Sequence, residues 1–206
     1  LEAGRPADAL EVLGEEVPGA PAEALVLRGR ALARLERVEE ARETLARAAR
    51  LEPPYAPARL ALARLALAAG DSDEATALIR EALDIDPGYD QAWLLLGEVR
   101  LSAGQPAEAK EAFEKALASP SIPRRAAAHL GMARALLARG EPAAAEPHIT
   151  ALEELAAENP LVDYLAGLAA YQQGQLEVAA ERLEAVLSRL PNHPPSLLVL
   201  GSVKAR

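Results

Sequence analysis

Three histidines are the first residues to weigh, because imidazole is the side chain whose chemistry suits neutral pH. They are His129, His148 and His193. None has a second histidine four residues along, the spacing that sets two imidazoles on one helix face as a metal pair. They also fall at different positions of the repeat described below. No serine or threonine stands in a nucleophile-elbow context, and no glycine-rich phosphate loop is present. The adjacent carboxylates Glu15-Glu16, Glu39-Glu40 and Glu153-Glu154 read as solvated helix faces rather than acid–base pairs. The chain has no cysteine, which removes disulfides and thiolate metal ligands and fits any compartment. From these residues we expect no enzyme, no cofactor and no metal site.

What remains is the chemistry of a surface, and the elements that carry it are helices. Half of the 206 residues are hydrophobic but only 3% are aromatic, and Ala, Leu, Glu and Arg dominate. These are strong helix formers, whereas the β-branched and aromatic residues that strands favour are scarce. A net charge of −9 argues against non-specific binding to nucleic acid, which needs a cationic surface to displace counterions. No stretch approaches the about 18 uninterrupted apolar residues of a membrane span. The chain opens on Leu1 without a methionine or a signal-like segment and reads as a piece of a longer protein.

The helices recur. Gly70, Gly104, Gly140 and Gly174 are separated by 34, 36 and 34 residues. Five residues after each stands an alanine (Ala75, Ala109, Ala145, Ala179), and four residues further a large apolar residue (Ile79, Phe113, Ile149, Leu183). One repeat earlier the frame continues through Ala41 and Leu45, with Glu36 in the glycine slot. A second ladder of small residues runs through Gly29, Ala63, Gly97, Ala133, Gly167 and Gly201. Each unit divides into a helix A and a helix B, in the third unit over 91–102 and 106–117. Gly104 ends one helix, Pro106 sits at the first position of the next, and Asp71 can cap the corresponding helix of the second unit. Small residues where the helices cross allow a short interaxial distance, and the large column fills the adjacent gap. A lone helix pair cannot bury its apolar face, so the units must stack.

These residues resemble the tetratricopeptide repeat (TPR) family, with the third unit matching best through Trp93, Leu96, Gly97, Ala109, Phe113 and Ala116. It departs at the tyrosine slot, which holds Arg100. The resemblance implies an all-α fold, a right-handed α-solenoid of about twelve helices. It makes residues 1–206 a single solenoid with full repeats at 22–55, 56–89, 90–125, 126–159 and 160–193, a partial repeat at 1–21 and a further helix A at 194–206. Leu197, Leu198 and Leu200 on that last helix would face nothing. Two irregularities stand out. The segment Ser119-Pro120-Ser121-Ile122-Pro123 adds two residues, so the stacking angle can change there, and Pro147 falls inside a helix B, where it should kink the helix.

In the TPR family helix A lines the concave wall, and its fifth, ninth and twelfth positions point inward. The resemblance carries Val26, Leu60, Leu94, Leu130 and Tyr164 to the first of these, and Arg30, Arg64, Glu98, Arg134 and Leu168 to the second. Ala33, Leu67, Leu101, Leu137 and Tyr171 fall at the third. The implied groove has apolar stripes flanking a largely arginine row, suited to a protein or peptide segment with acidic and apolar side chains. A clamp for chaperone tails is not expected, since the only asparagines, Asn159 and Asn192, lie in inter-unit turns. More narrowly, Tyr164-Leu165-Ala166-Gly167, Tyr171-Gln172-Gln173-Gly174 and the run from Pro191 to Leu198 are similar to the large TPR lipoprotein of bacterial PEP-CTERM/exosortase systems. That likeness implies a lipid-anchored parent in the bacterial cell envelope, periplasmic rather than cytoplasmic, that assists protein sorting or exopolysaccharide export. The alternative to a scaffold is a structural spacer or self-associating array, a homo-oligomer formed through exposed end helices.

Overall fold

The computed structural model describes residues 6–13, 19–156 and 158–205. Glu15-Glu16, the first five residues and much of the link after the first helix lie outside that description. Twelve α-helices and no strand occur among the described residues, so the all-α expectation holds. They fall into two compact units that divide between Ala92 and Trp93.

The first unit holds α1 (Pro6–Leu13), α2 (Ala22–Arg34), α3 (Val38–Ala49), α4 (Ala56–Ala68) and α5 (Ser72–Ile85). The helices α2 and α3 form one antiparallel pair and α4 and α5 the next, with α2 and α3 both touching α4. Leu25, Val26, Leu32, Leu45 and Leu65 form its core with the alanines between them. The dividing point lies in the first turn of α6 (Asp90–Ser102). The second unit continues through α7 (Pro106–Ala116), α8 (Ile122–Ala138), α9 (Pro142–Leu155), α10 (Pro160–Gln172), α11 (Leu176–Arg189) and α12 (Pro194–Lys204). Here α8 pairs with α9 and α10 with α11, α7 leans on α8, and α12 packs on α11 and α10.

One backbone device closes five of the helices A. The residue in the glycine slot takes positive φ, and two main-chain bonds satisfy the last carbonyls, the pattern of a Schellman motif. In the second repeat the Gly70 N–H donates to Leu67 O at 3.0 Å and the Asp71 N–H to Ala66 O at 2.9 Å. The same pair of bonds recurs after Gly104, Gly140 and Gly174. It recurs at Glu36 as well, which holds φ 60 although its Cβ disfavours that region. Asp71 then caps α5, its carboxylate accepting from the Glu74 N–H at 2.8 Å.

The two small-residue ladders are explained by what they face. Ala41, Ala75, Ala109, Ala145 and Ala179 are all fully buried, as are or nearly are Leu45, Ile79, Phe113, Ile149 and Leu183. The ring of Phe113 lies between two glycines. A Cβ on Gly97 would come to 2.5 Å from it, and one on Gly131 to 2.4 Å. Glycine also faces Leu45 (Gly29) and Leu183 (Gly167), whereas against the β-branched Ile79 and Ile149 the ladder carries alanine (Ala63, Ala133).

Three local expectations are refined. The two extra residues near Ser119 are taken up mainly by α8, the longest helix at 17 residues, whose first turn includes Ile122 and Pro123. Ser119 Oγ accepts from the Ser121 N–H at 3.2 Å, and the Arg125 guanidinium donates to the Ser119 and Pro120 carbonyls at 3.3 Å, which fixes the short link. The helix α9 runs on through Pro147, which is exposed, as is Ala143, whose carbonyl loses its helical donor there. On α12, Leu197 and Leu198 are exposed (49% and 74%), but Leu200 is buried with Val203 against the preceding pair. The expectation that Leu200 faces nothing is therefore corrected: it lies four residues from Ser196 and three from Val203, on the face of α12 that turns inward.

Arg100, in the family's tyrosine slot, has a packing role of its own. Its guanidinium donates to Gln105 Oε1 at 2.8 Å and pairs with Glu108 at 3.3 Å, tying the end of α6 to the start of α7.

Candidate functional site

In each unit a cleft opens beside the helices A, and the inward positions expected from the sequence contribute to both clefts. In the first unit a cleft of about 440 Å³ opens between α2, α3 and α4. Its floor is apolar, with Ala33, Leu45, Ala61 and Leu65, and three guanidiniums stand at it: Arg30, Arg34 and Arg64. Their spacing follows from the helix. Arg30 and Arg34 are four residues apart on one face of α2, and Arg64 is the repeat equivalent of Arg30 on α4. In the second unit a cleft of about 450 Å³ is lined by Leu101, Arg134, Leu137, Tyr164, Leu168 and Gln172. Gln172 Nε2 donates to Leu137 O at 3.0 Å, which joins the ends of α8 and α10 below it. Burial raises the Tyr164 phenol above its ordinary range, and the Arg134 charge works against that rise. The phenol is therefore neutral at physiological pH and offers a hydrogen bond beside a cation.

Among the described residues, the cleft arginines differ from the ion-paired arginines of the chain in having no carboxylate partner, a state that Arg50 and Arg80 share away from either cleft. Arg37, Arg42, Arg59, Arg100, Arg139 and Arg182 are each paired with a carboxylate. Among the described residues, no ion pair engages Arg30, Arg34, Arg64 or Arg134. In a chain with net charge −9, four cations without carboxylate partners over apolar floors can take an anionic group from outside.

The remaining expected positions are distributed less simply. Val26 and Leu60 are buried (4% and 2%), and Val26 belongs to the core of the first unit. Leu137 is nearly as buried, although its edge reaches the second cleft. Leu94 and Leu130 are half-buried against the core of the second unit, and Tyr171 against the cluster below α12. Leu67 is half-buried and Glu98 exposed, and both lie outside the linings of these two clefts. Arg34 and Gln172 were not expected. Arg34 lies one turn beyond Arg30, and that spacing was the signal available for it.

Two further polar pairs appear that sequence spacing did not suggest. His193 Nδ1 lies 2.8 Å from Ser196 Oγ, and the Tyr164 ring meets His193 edge-on at 5.2 Å. Ser196 is fully buried, and the pair closes the first turn of α12. His129 and His148, on α8 and α9, bring their Nδ1 atoms to 2.9 Å. Nineteen residues separate them, so no helical spacing links the two. They do occupy the fourth and twenty-third positions of their repeat, and the same positions of the next repeat hold Asp163 and Arg182, paired at 3.0 Å.

Tandem antiparallel helix pairs, glycine-closed turns and clefts between successive helices A define a helical-repeat scaffold. The chain belongs to the TPR family: the model described as the cytochrome c-type biogenesis protein H TPR domain matches residues 73–197, and two further tetratricopeptide repeat models match 32–99 and 1–57. No curated protein matches the chain. Among solved structures it is similar to PilW, described as a widely conserved type IV pilus biogenesis factor, with 22% identity and a TM-score of 0.75 over 88% of this chain and 84% of that one. It is similar to YrrB, a TPR protein with an unusual peptide-binding site, with 20% identity and a TM-score of 0.71 over 85% and 90%. A third likeness is to MamA from Desulfovibrio magneticus RS-1, with 19% identity and a TM-score of 0.72 over 86% and 99%. At these identities the shared feature is the fold, that of a protein-interaction scaffold.

Proposed function

We propose that each helix-A cleft of the chain holds a segment of a partner protein rich in acidic and aliphatic side chains. The observation that carries this reading is the set of carboxylate-free arginines, Arg30, Arg34, Arg64 and Arg134, over apolar floors. An aliphatic side chain suits the floor, and carboxylates suit the guanidiniums, which bind them through paired N–H donors. The parent's place, on this proposal, is the bacterial cell envelope, where a lipid-anchored TPR protein assists the sorting or export of surface material. Support comes from the likeness around Tyr164 and the Pro191–Leu198 run, and from the names of the matching family model, a cytochrome c-type biogenesis protein H TPR domain, and of PilW, a type IV pilus biogenesis factor.

The test is selection from a random peptide display library, followed by fluorescence polarisation on the selected sequences. The reading expects enrichment of acidic–aliphatic peptides. It expects binding at least about tenfold weaker in Arg64→Glu/Arg134→Glu, since one charge-assisted hydrogen bond contributes roughly 1.5–3 kcal/mol. Selection of peptides without acidic residues, or equal binding by the folded double variant, refutes it. A spacer that self-associates is the second reading, favoured by the exposed Leu197 and Leu198 on α12. Light scattering that shows growth in mass with concentration, abolished by Leu198→Glu, supports that reading instead.

A further inference from the structure

We propose that His129 and His148 form a two-histidine site for a divalent transition-metal ion, copper(II) foremost, that clips α8 to α9. The juxtaposition is cross-helical: the imidazoles come from the two helices of one repeat, and their Nδ1 atoms stand 2.9 Å apart with ring planes inclined at 46°. Both residues are half-buried, so the pair is held by packing yet open to solvent on one side.

The separation is that of a hydrogen bond and also fits a cis pair of metal ligands. Metal–imidazole bonds run about 2.0–2.1 Å, so two donors 2.9 Å apart subtend roughly 90° at the ion. A tetrahedral ion would ask for a separation of about 3.3 Å. A right-angled bite is the cis arrangement of tetragonal copper(II) or nickel(II) sites, and imidazole is a ligand suited to both. Two ring nitrogens occupy adjacent corners, and water takes the other positions.

Without metal, one Nδ1–H donates to the other Nδ1. On binding, that proton leaves Nδ1 and the ring takes its Nε2–H tautomer, so the neutral pair binds the ion with no net release of protons. Below the imidazole pKa the ion must displace a proton, and affinity falls as pH falls. The charges facing the pair are Arg125 beside His129, and Lys110 and Glu114 beside His148. The two cations oppose a metal ion and Glu114 favours it, so the site binds more weakly than a three-ligand centre. The slot is open to such variation, because the same fourth and twenty-third positions join α10 to α11 through Asp163 and Arg182.

The test is a copper(II) titration of the untagged chain at pH 7.5 by calorimetry and electron paramagnetic resonance. We expect one ion per chain with a two-nitrogen hyperfine pattern. His129→Gln and His148→Gln should each weaken binding at least about tenfold, and His193→Gln should leave it unchanged. The nitrogen count is read on wild type and does not depend on any variant folding. A one-nitrogen spectrum, or equal copper uptake by wild type and a His129→Gln/His148→Gln variant of unchanged helicity, overturns the proposal and leaves the pair as a hydrogen bond.

Discussion

Gly97→Ala sets two magnitudes against each other. In the interior of a helix, alanine is favoured over glycine by about 1 kcal/mol, so on propensity alone the change stabilises α6. Packing says otherwise. The new Cβ would meet Phe113 at 2.5 Å, with two more ring atoms at 2.7 Å, and Phe113 is only 1% exposed and pressed from the other side by Gly131. The ring cannot withdraw. Overpacking of this kind costs about 1–3 kcal/mol, so the net expectation is a loss of roughly 1 kcal/mol. Gly131→Ala should behave alike at 2.4 Å, whereas Gly167→Ala, with Leu183 no nearer than 2.9 Å and able to change rotamer, should cost less. Gly201→Ala, which meets nothing within 4 Å, is the control and should be neutral or stabilising. Replacing Phe113 by Ile alongside Gly97→Ala recreates the pairing of Ala63 with Ile79, and the double change should cost less than the sum of the two singles. Urea unfolding followed by circular dichroism at 222 nm measures each step. If Gly97→Ala raises the unfolding midpoint as much as Gly201→Ala does, the close-packing account of the ladder is wrong.

Two further outcomes follow from local geometry and titration. Glu36→Gly should stabilise the first unit by about 0.5–1 kcal/mol, because the strain at φ 60 exceeds the extra chain entropy of glycine; a lower unfolding midpoint would contradict that. His129 and His148 have folded pKa values below the ordinary 6.5, through burial first, with Arg125 acting on His129, and with His129 and Lys110 on His148 against Glu114. Between 6.5 and those lower values the unfolded chain binds more protons than the folded one, so stability is lost as pH falls through that window. In metal-free buffer the urea midpoint should therefore drop between pH 7 and pH 5 by more in wild type than in His129→Gln/His148→Gln, and an equal drop would remove the histidines from the account.

The repeat was legible because backbone demands recur. A turn that needs positive φ selects glycine, a crossing point selects a small residue, and Asp71 sits where an N-cap is needed. The limits of the third unit's helices consequently fell within one residue of α6 and α7. Side-chain exposure on helix A was less legible. Periodicity gives a face about 100° wide, and burial within that face depends on how closely the next helix approaches. Val26 and Leu60 are buried among alanines that let neighbouring helices close over them, whereas Arg30 and Arg64, four residues further along, reach the cleft. The His129–His148 contact was illegible for another reason. It joins two helices through positions that carry unrelated residues in the other repeats, and only comparison of the same two slots, repeat by repeat, points to it.

The seating of Phe113 bears on how such an array can be inherited. The residue that makes room for its ring from below, Gly131, belongs to the following repeat, at a position filled by Leu27, Ala61, Leu95 and Leu165 elsewhere. A recombination event that copied the third repeat alone into another place would set the phenyl ring against one of those larger side chains. An event that copied the third repeat together with the first half of the fourth would carry the ring with both of its glycines, Gly97 and Gly131. For this stretch the heritable module runs past the seam between two repeats, and a gene duplication that preserves the packing is expected to include α6, α7 and α8 together.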